Sequence, residues 1–204
     1  LVSVLGGAKL SEKLDALNSL VEISEKVVVG GAMAYTILKA MGVNVGKSLV
    51  EDDKLDVAKE IIKKYGDKLV LPVDHLVAKE FNEQAANAAY NTNDQNVPED
   101  TVAIDIGYRT IELFKQTISI GNYILWNGPM GVFEWEKSSK GTIAIGQAIE
   151  KNGPAFKLAG GGDSIAAINK LQLKGFNHIS TGGGAMLSFL AYDKFPTLDV
   201  IINK

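Results

Sequence analysis

The stretch FKLAGGGDSIAAINKL, Phe156 to Leu171, decides how this chain reads. Phe156, Leu158 and Ala159 have the character of the end of a short buried strand. Gly160, Gly161 and Gly162 follow, then Asp163 and Ser164, and after them Ile165, Ala166, Ile168 and Leu171 recur at helical spacing. A strand that turns through bare backbone straight into a helix presents free N–H groups and a partial positive charge, which suits a phosphate. Asp163 stands where it can hold a cation bridging phosphate oxygens. It equally suits the N-cap, where an aspartate oxygen accepts from the first helical amides. Taken alone, the stretch leaves both roles open.

Repetition favours the first. Five apolar runs in this chain end in glycines: Val2–Lys9 (VSVLGGAK), Val27–Ala34 (VVVGGAMA), Ile124–Gly131 (ILWNGPMG), Lys157–Ser164 and Ile179–Met186 (ISTGGGAM). Glycine serves where backbone turns tightly or comes close to a ligand. In an open parallel sheet, ligands bind outside the carboxyl ends of the strands. Five such ends predict one composite site along one sheet edge. Helical periodicities lie between the strands, so the expected class is α/β: a Rossmann-like three-layer domain, with a central parallel sheet flanked by helices, spanning residues 1–204.

Composition narrows the function. The 204 residues are 46% hydrophobic, enough for one sizeable core. A net charge of −3 carries no nucleic-acid footprint. Arg109 is the only arginine, so bidentate clamping of phosphate by arginine has to come largely from elsewhere. Absence of cysteine excludes disulfides and thiolate zinc sites and fits a cytoplasmic protein. No run reaches membrane-spanning length. The chain opens Leu1-Val2-Ser3 without methionine, apparently inside a strand, as if cut from something longer.

Along the chain, strands are expected at Val2–Leu5, Val27–Val29, Leu69–Val73, Val102–Ile106, Tyr123–Trp126 and His178–Ser180. A helix from about Ala8 to Ile23 would put Lys9 and Lys13 on one face of its first turns, where the dipole disfavours cations. An anionic ligand at that start would relieve the conflict; two solvated lysines are the alternative. Met41–Ser48 (MGVNVGKS) imitates a phosphate loop but has three residues between its glycines instead of four, and follows a helix. His75 has no partner suited to a metal nearby and reads as hydrogen-bonded or exposed; His178 reads as structural. Phe81–Glu99 is polar and Asn-rich, a surface excursion without catalytic signal. Pro129 and Gly131 make Asn127–Gly131 a rigid loop, and Glu134 beyond it suits ribose hydroxyls or solvent equally. No G-x-G-x-x-G fingerprint is satisfied, which disfavours a dinucleotide dehydrogenase.

Seven stretches now carry a family resemblance: LGGAKLSEKL, GGAMAYTILKAMG, LPVDHLVAKEF, AIDIGYRTIELF, LWNGPMGVFE, LAGGGDS and HISTGGGAMLSFL. In order and rough spacing they resemble phosphoglycerate kinase, and within it the C-terminal, nucleotide-binding domain. The resemblance implies Mg2+ with ADP or ATP as ligand and phosphoryl transfer between 1,3-bisphosphoglycerate and ADP. It implies that Lys13 meets the α-phosphate end and that Lys9 favours the phosphoryl in flight. Gly7, Gly30, Gly31, Leu49 and Ile104 would form the adenine slot. Asn127, Pro129 and Gly131 would flank the nucleotide, with Glu134 on the ribose. Asp163 would ligate magnesium, with Gly162 and Ser164 at the phosphate-binding helix start. Gly183 and Gly184 would face the transferred group.

Two departures stand out. Many relatives have a third glycine where this chain has Ala32, which would tighten the adenine slot slightly. The family's N-terminal domain, which carries the 3-phosphoglycerate site and the catalytic arginine, lies outside this sequence, and Phe195–Lys204 would lack its usual dock. The parent is expected to be a monomer, and this chain to bind nucleotide without turnover. The alternative is a stand-alone nucleotide-binding or regulatory module.

Overall fold

Each of the five glycine-terminated runs is a strand of one parallel sheet in the computed structural model, which describes residues 1–192. The strands of that sheet are β1 (Val2–Leu5), β2 (Lys26–Val29), β3 (Leu69–Val70), β7 (Tyr123–Asn127), β8 (Phe156–Gly160) and β9 (His178–Ser180). They lie in the order β3-β2-β1-β7-β8-β9. Val4 stands beside Val28 on one side and Trp126 on the other. Because every pairing is parallel, all the glycine-bearing ends emerge at one edge. Chain order reverses between β1 and β7, and such a switch point opens a crevice above the sheet.

Alternation along the strands divides the core into two layers. Val4, Val28, Ile124, Trp126 and Ala159 pack under α5 (Tyr108–Ser119), α6 (Lys140–Lys151) and α7 (Gly162–Lys170). Leu5, Val27, Val29 and Leu125 face the other way, onto α1 (Leu14–Ile23), α2 (Met33–Ala40), α3 (Leu55–Tyr65) and α8 (Gly183–Tyr192). The expected three layers are therefore present. Burying one such Val, Leu or Ile contributes about 1.5–3 kcal/mol, so both faces are held strongly. Trp126 is fully buried, as its place in an apolar run implied, and its Nε1 donates to Gly128 O at 2.9 Å. Phe156 departs from expectation: it opens β8 half-exposed and leans on Tyr123.

A second, antiparallel sheet of β4 (His75–Ala78), β5 (Tyr90–Asn91) and β6 (Val102–Ile106) was not foreseen. The expected strand Leu69–Val73 ends at Val70, because Pro72 brings no amide to a ladder. Asp74 then turns away to cap α5, accepting from Arg109 N and Thr110 N at 2.9 and 2.7 Å. The chain returns as β4, antiparallel to β6. Within the polar excursion, Glu83–Ala86 forms the short helix α4, and Tyr90–Asn91 pairs with β4. His75 is buried and hydrogen-bonded: Nδ1 lies 3.2 Å from Tyr35 Oη and Nε2 2.9 Å from Gln95 O. His178 is exposed at the start of β9.

The first helix also starts later than expected, at Leu14 rather than near Ala8. A helix from Ala8 would need the Gly7 carbonyl to accept from Ser11 N–H. Met33 N–H occupies that carbonyl at 3.0 Å, and Ser11 N–H is held by Glu51 at 2.9 Å. Lys9 and Lys13 therefore do not share a helical face. Helices α7 and α8 instead start earlier than periodicity suggested, at Gly162 and Gly183, so the glycines themselves form the first turns. Residues Phe195 to Lys204, with their expected dependence on a missing dock, lie outside the described residues.

Candidate functional site

A cavity of about 640 Å³ opens at the switch point, above the carboxyl ends of β1 and β7. Its floor is glycine backbone, from Gly7 and Gly31. Its walls include the loop after β7, from Pro129 to Trp135, and, next to that loop, β6 of the small sheet, through Val102, Ala103 and Ile104. Leu49, Lys47 and Phe81 close the mouth. The lining is mainly apolar, with Asp163 at one end.

The loop from Asn127 to Gly131 is pinned at several points. Gly6 N–H donates to Asn127 O and Gly31 N–H to Met130 O, both at 2.9 Å. Gly128 N–H donates to Ser164 Oγ at 2.7 Å, and Met130 N–H to Thr142 Oγ1 at 3.0 Å. Val132 N–H donates to Ile104 O at 2.8 Å, tying the loop to β6 beside it. A binding surface held this way is pre-organised, which limits the entropy lost on binding.

Beyond the Asp163 end of the cavity two helices begin side by side. A side chain on Gly183 would bring Cβ within 2.4 Å of Gly161 Cα, so α7 and α8 meet backbone to backbone. Their first-turn amides have no acceptor within their own helices. Gly161, at φ +95°, takes the position before α7, so Asp163 is inside the first turn and the N-cap alternative for it is excluded. Asp163 is exposed and lines the cavity. Lys13, half-buried, donates through Nζ to Asn127 Oδ1, whose Nδ2 in turn donates to Gly160 O at 2.7 Å. Burial pulls the Lys13 pKa below its ordinary value, while the negative charges of Asp163 and Glu12 pull it back up. A carboxylate, a lysine and two helix starts thus converge beside an apolar slot.

The family model for phosphoglycerate kinase matches residues 1–192. The chain belongs to the phosphoglycerate kinase family. It is 47% identical over its whole length to the phosphoglycerate kinase of Lactobacillus delbrueckii subsp. lactis, covering 50% of that protein. With the Staphylococcus aureus (strain JH9) protein it shares 45% over its whole length, covering 51%. The structure of phosphoglycerate kinase from Coxiella burnetii superposes with a TM-score of 0.91 at 38% identity, over 99% of this chain and 52% of that one. That from Pyrococcus horikoshii OT3 gives 0.85 at 33%, over 98% and 51%. The chain spans about half the length of the phosphoglycerate kinases it matches.

Of the positions suggested by the phosphoglycerate kinase resemblance, Gly7, Gly31, Leu49, Ile104, Pro129, Gly131, Glu134 and Asp163 line the cavity together. Ala32, the departure from the family's third glycine, lines it too. Gly30 does not; it is buried, and a Cβ there would meet Met130 Sδ at 2.5 Å. Asn127 is buried beneath the floor as the seat of Lys13. Ser164 is fully buried with its oxygen engaged by Gly128 N–H. Gly162 and Gly184 are exposed with open space where a Cβ would stand. Lys9 is exposed and sits 3.7 Å from Glu12.

Sequence reasoning missed Phe81, Trp135 and Tyr35, all of which line the cavity. Phe81 and Trp135 pack with ring centres 5.1 Å apart and their planes tilted by 52°. The signal available was an aromatic at the start of an otherwise polar excursion. Lys47, from the stretch rejected as a phosphate loop, lines the mouth; no strand precedes that stretch and no helix opens on it.

Proposed function

We propose that this chain is the nucleotide-binding half of a phosphoglycerate kinase, taking ADP or ATP with Mg2+. The parent protein would transfer a phosphoryl group between 1,3-bisphosphoglycerate and ADP, in the cytoplasm and within glycolysis. The observation that carries the proposal is the junction of an apolar slot with Asp163, Lys13 and the starts of α7 and α8. A purine and ribose suit the slot, with Glu134 near the ribose hydroxyls. The phosphates then lie along the glycine-rich helix starts.

The donor set fits magnesium. Among the described residues no group of three or more His, Cys, Asp and Glu could cage a metal. Magnesium keeps several waters and is held by one or two carboxylates plus substrate phosphates, which a single exposed Asp163 satisfies. When bound, the ion neutralises phosphate charge during transfer. Lys13, seated on Asn127, brings its cation to the same end of the slot, and Lys9 has the freedom to reach a phosphoryl group in flight. The first-turn amides of Gly183 and Gly184, at the start of α8, would meet that group. Phosphoryl transfer needs positioning and charge neutralisation above all, and this half offers both.

The acceptor site would belong to the other half of the parent, so this chain alone is expected to bind without turnover. Calorimetric titration of ADP, with and without magnesium, into the chain and into Asp163→Ala tests the proposal. Magnesium is expected to strengthen binding to the unmodified chain and to have little effect on the variant. Absence of binding by the folded chain, or brisk turnover by it, overturns the corresponding part.

A further inference from the structure

Asp105 lies in β6 behind the cavity wall, completely enclosed, and is not part of the phosphate-binding constellation. Its Oδ2 accepts from Gly141 N–H at 2.7 Å, in the first turn of α6, and its Oδ1 accepts from Ile106 N–H at 2.9 Å. The carboxylate is clamped between two glycines. A Cβ on Gly131 would stand 2.4 Å from Oδ1, and one on Gly141 would stand 2.2 Å from the same atom. Gly131 lines the cavity, and Thr142, next to Gly141, holds Met130 N–H. The residue before Asp105, Ile104, lines the cavity and accepts from Val132 N–H. One buried carboxylate therefore sits where the small sheet, the α6 start and the cavity loop meet.

We propose that Asp105 is a positioning residue for the cavity: its ionised carboxylate, holding the Gly141 amide of α6 while packed against Gly131, sets how α6 and the Pro129–Gly131 loop seat on β6. This rests on the nucleotide reading of the cavity. Protonation turns one oxygen into a donor and a poorer acceptor, so one of the two N–H bonds weakens and the clamp loosens. Burial raises the Asp105 carboxyl to about 7, against the opposing pull of the Gly141 and Ile106 amides. Titratable groups reach its surroundings from three other elements. From α2, Tyr35 faces it, its hydroxyl kept neutral by burial and by the charges of Asp105 and Asp74. From β4, His75 pairs with the neighbouring Ile106, and burial lowers its affinity for a proton. Lys137 and Lys140 line, with Asp105 itself, a small cavity of about 170 Å³.

The test compares the chain with Asp105→Asn, which keeps the shape but has only one accepting oxygen. Mg-ADP affinity is measured by calorimetry from about pH 5.5 to about pH 8.5, reading the ratio of the two proteins so that the ligand's own titration cancels. The ratio is expected to change by about fivefold across the range, favouring the unmodified chain at higher pH. Backbone amide shifts of Gly131 and Gly141 in the unmodified chain, without ligand, are expected to titrate together. Gly141 moving while Gly131 stays fixed, or a ratio independent of pH, overturns the proposal. Should neither protein bind nucleotide, the nucleotide reading fails, while the ligand-free amide titration still decides whether Asp105 positions the wall. That titration needs only the unmodified chain, so a poorly folding variant does not remove the test.

Discussion

Replacing Ser164 by alanine separates two roles that its neighbours share. The family resemblance puts Ser164 at the phosphate-binding helix start, whereas its side chain is enclosed and accepts from Gly128 N–H at 2.7 Å. Gly128 is itself buried, so the substitution leaves a donor without an acceptor. An unsatisfied buried donor costs about 1–3 kcal/mol. At about 2–4 °C per kcal/mol for a chain of this size, the melting temperature should fall by about 2–12 °C. Nucleotide affinity should fall less than about threefold, under 1 kcal/mol, because the helix-start amides remain in place. Urea unfolding and calorimetric ADP titration on the same preparation read both quantities. A loss of affinity of about tenfold or more with stability changed by less than about 0.5 kcal/mol would refute the reasoning. The hydroxyl would then be a ligand of phosphate and not a brace of the loop.

Phe81→Ala should do the opposite: the ring is 63% exposed, so unfolding should shift by less than about 0.5 kcal/mol. If the base stacks against it, affinity should fall by about fivefold or more, since stacking on an aromatic is worth about 1–3 kcal/mol. Lys13 predicts a proton linkage. Its folded pKa lies below the ordinary 10.5 because of burial, so between those two values the unfolded chain holds the extra proton and stability rises with pH. A phosphate placed beside Lys13 raises its pKa again, so ADP binding in alkaline solution should take up protons. Calorimetry in two buffers of different ionisation enthalpy measures that uptake, and Lys13→Met should abolish it.

The parallel sheet was legible because five of its six strands repeat one grammar, an apolar run closed by glycine, and parallel pairing turns repetition into a shared edge. That edge, the glycine floor and Asp163 follow from local pattern. What sequence periodicity misjudged was decided by backbone groups claimed from a distance. The first helix is shortened because Met33 takes the Gly7 carbonyl and Glu51 takes the Ser11 amide, 26 and 40 residues away along the chain. Neither partner is visible from the Ala8–Ile23 pattern.

By itself, then, the amino-acid sequence determined the layered α/β class, the sheet edge at which the glycine-bearing strands end, and the family to which its motifs point. Tertiary structure alone decided that β4, β5 and β6 form a separate antiparallel sheet walling the cavity. It also brought Phe81 and Trp135 to the mouth and set Asp105 between two glycines. The physical reason is range. Strand and helix preferences and glycine turns act over a few residues, and a sequence displays them directly. A cavity wall is made by segments far apart in the chain whose contacts depend on shape and on which amide each carbonyl meets. Those contacts exist only once the sheets have packed.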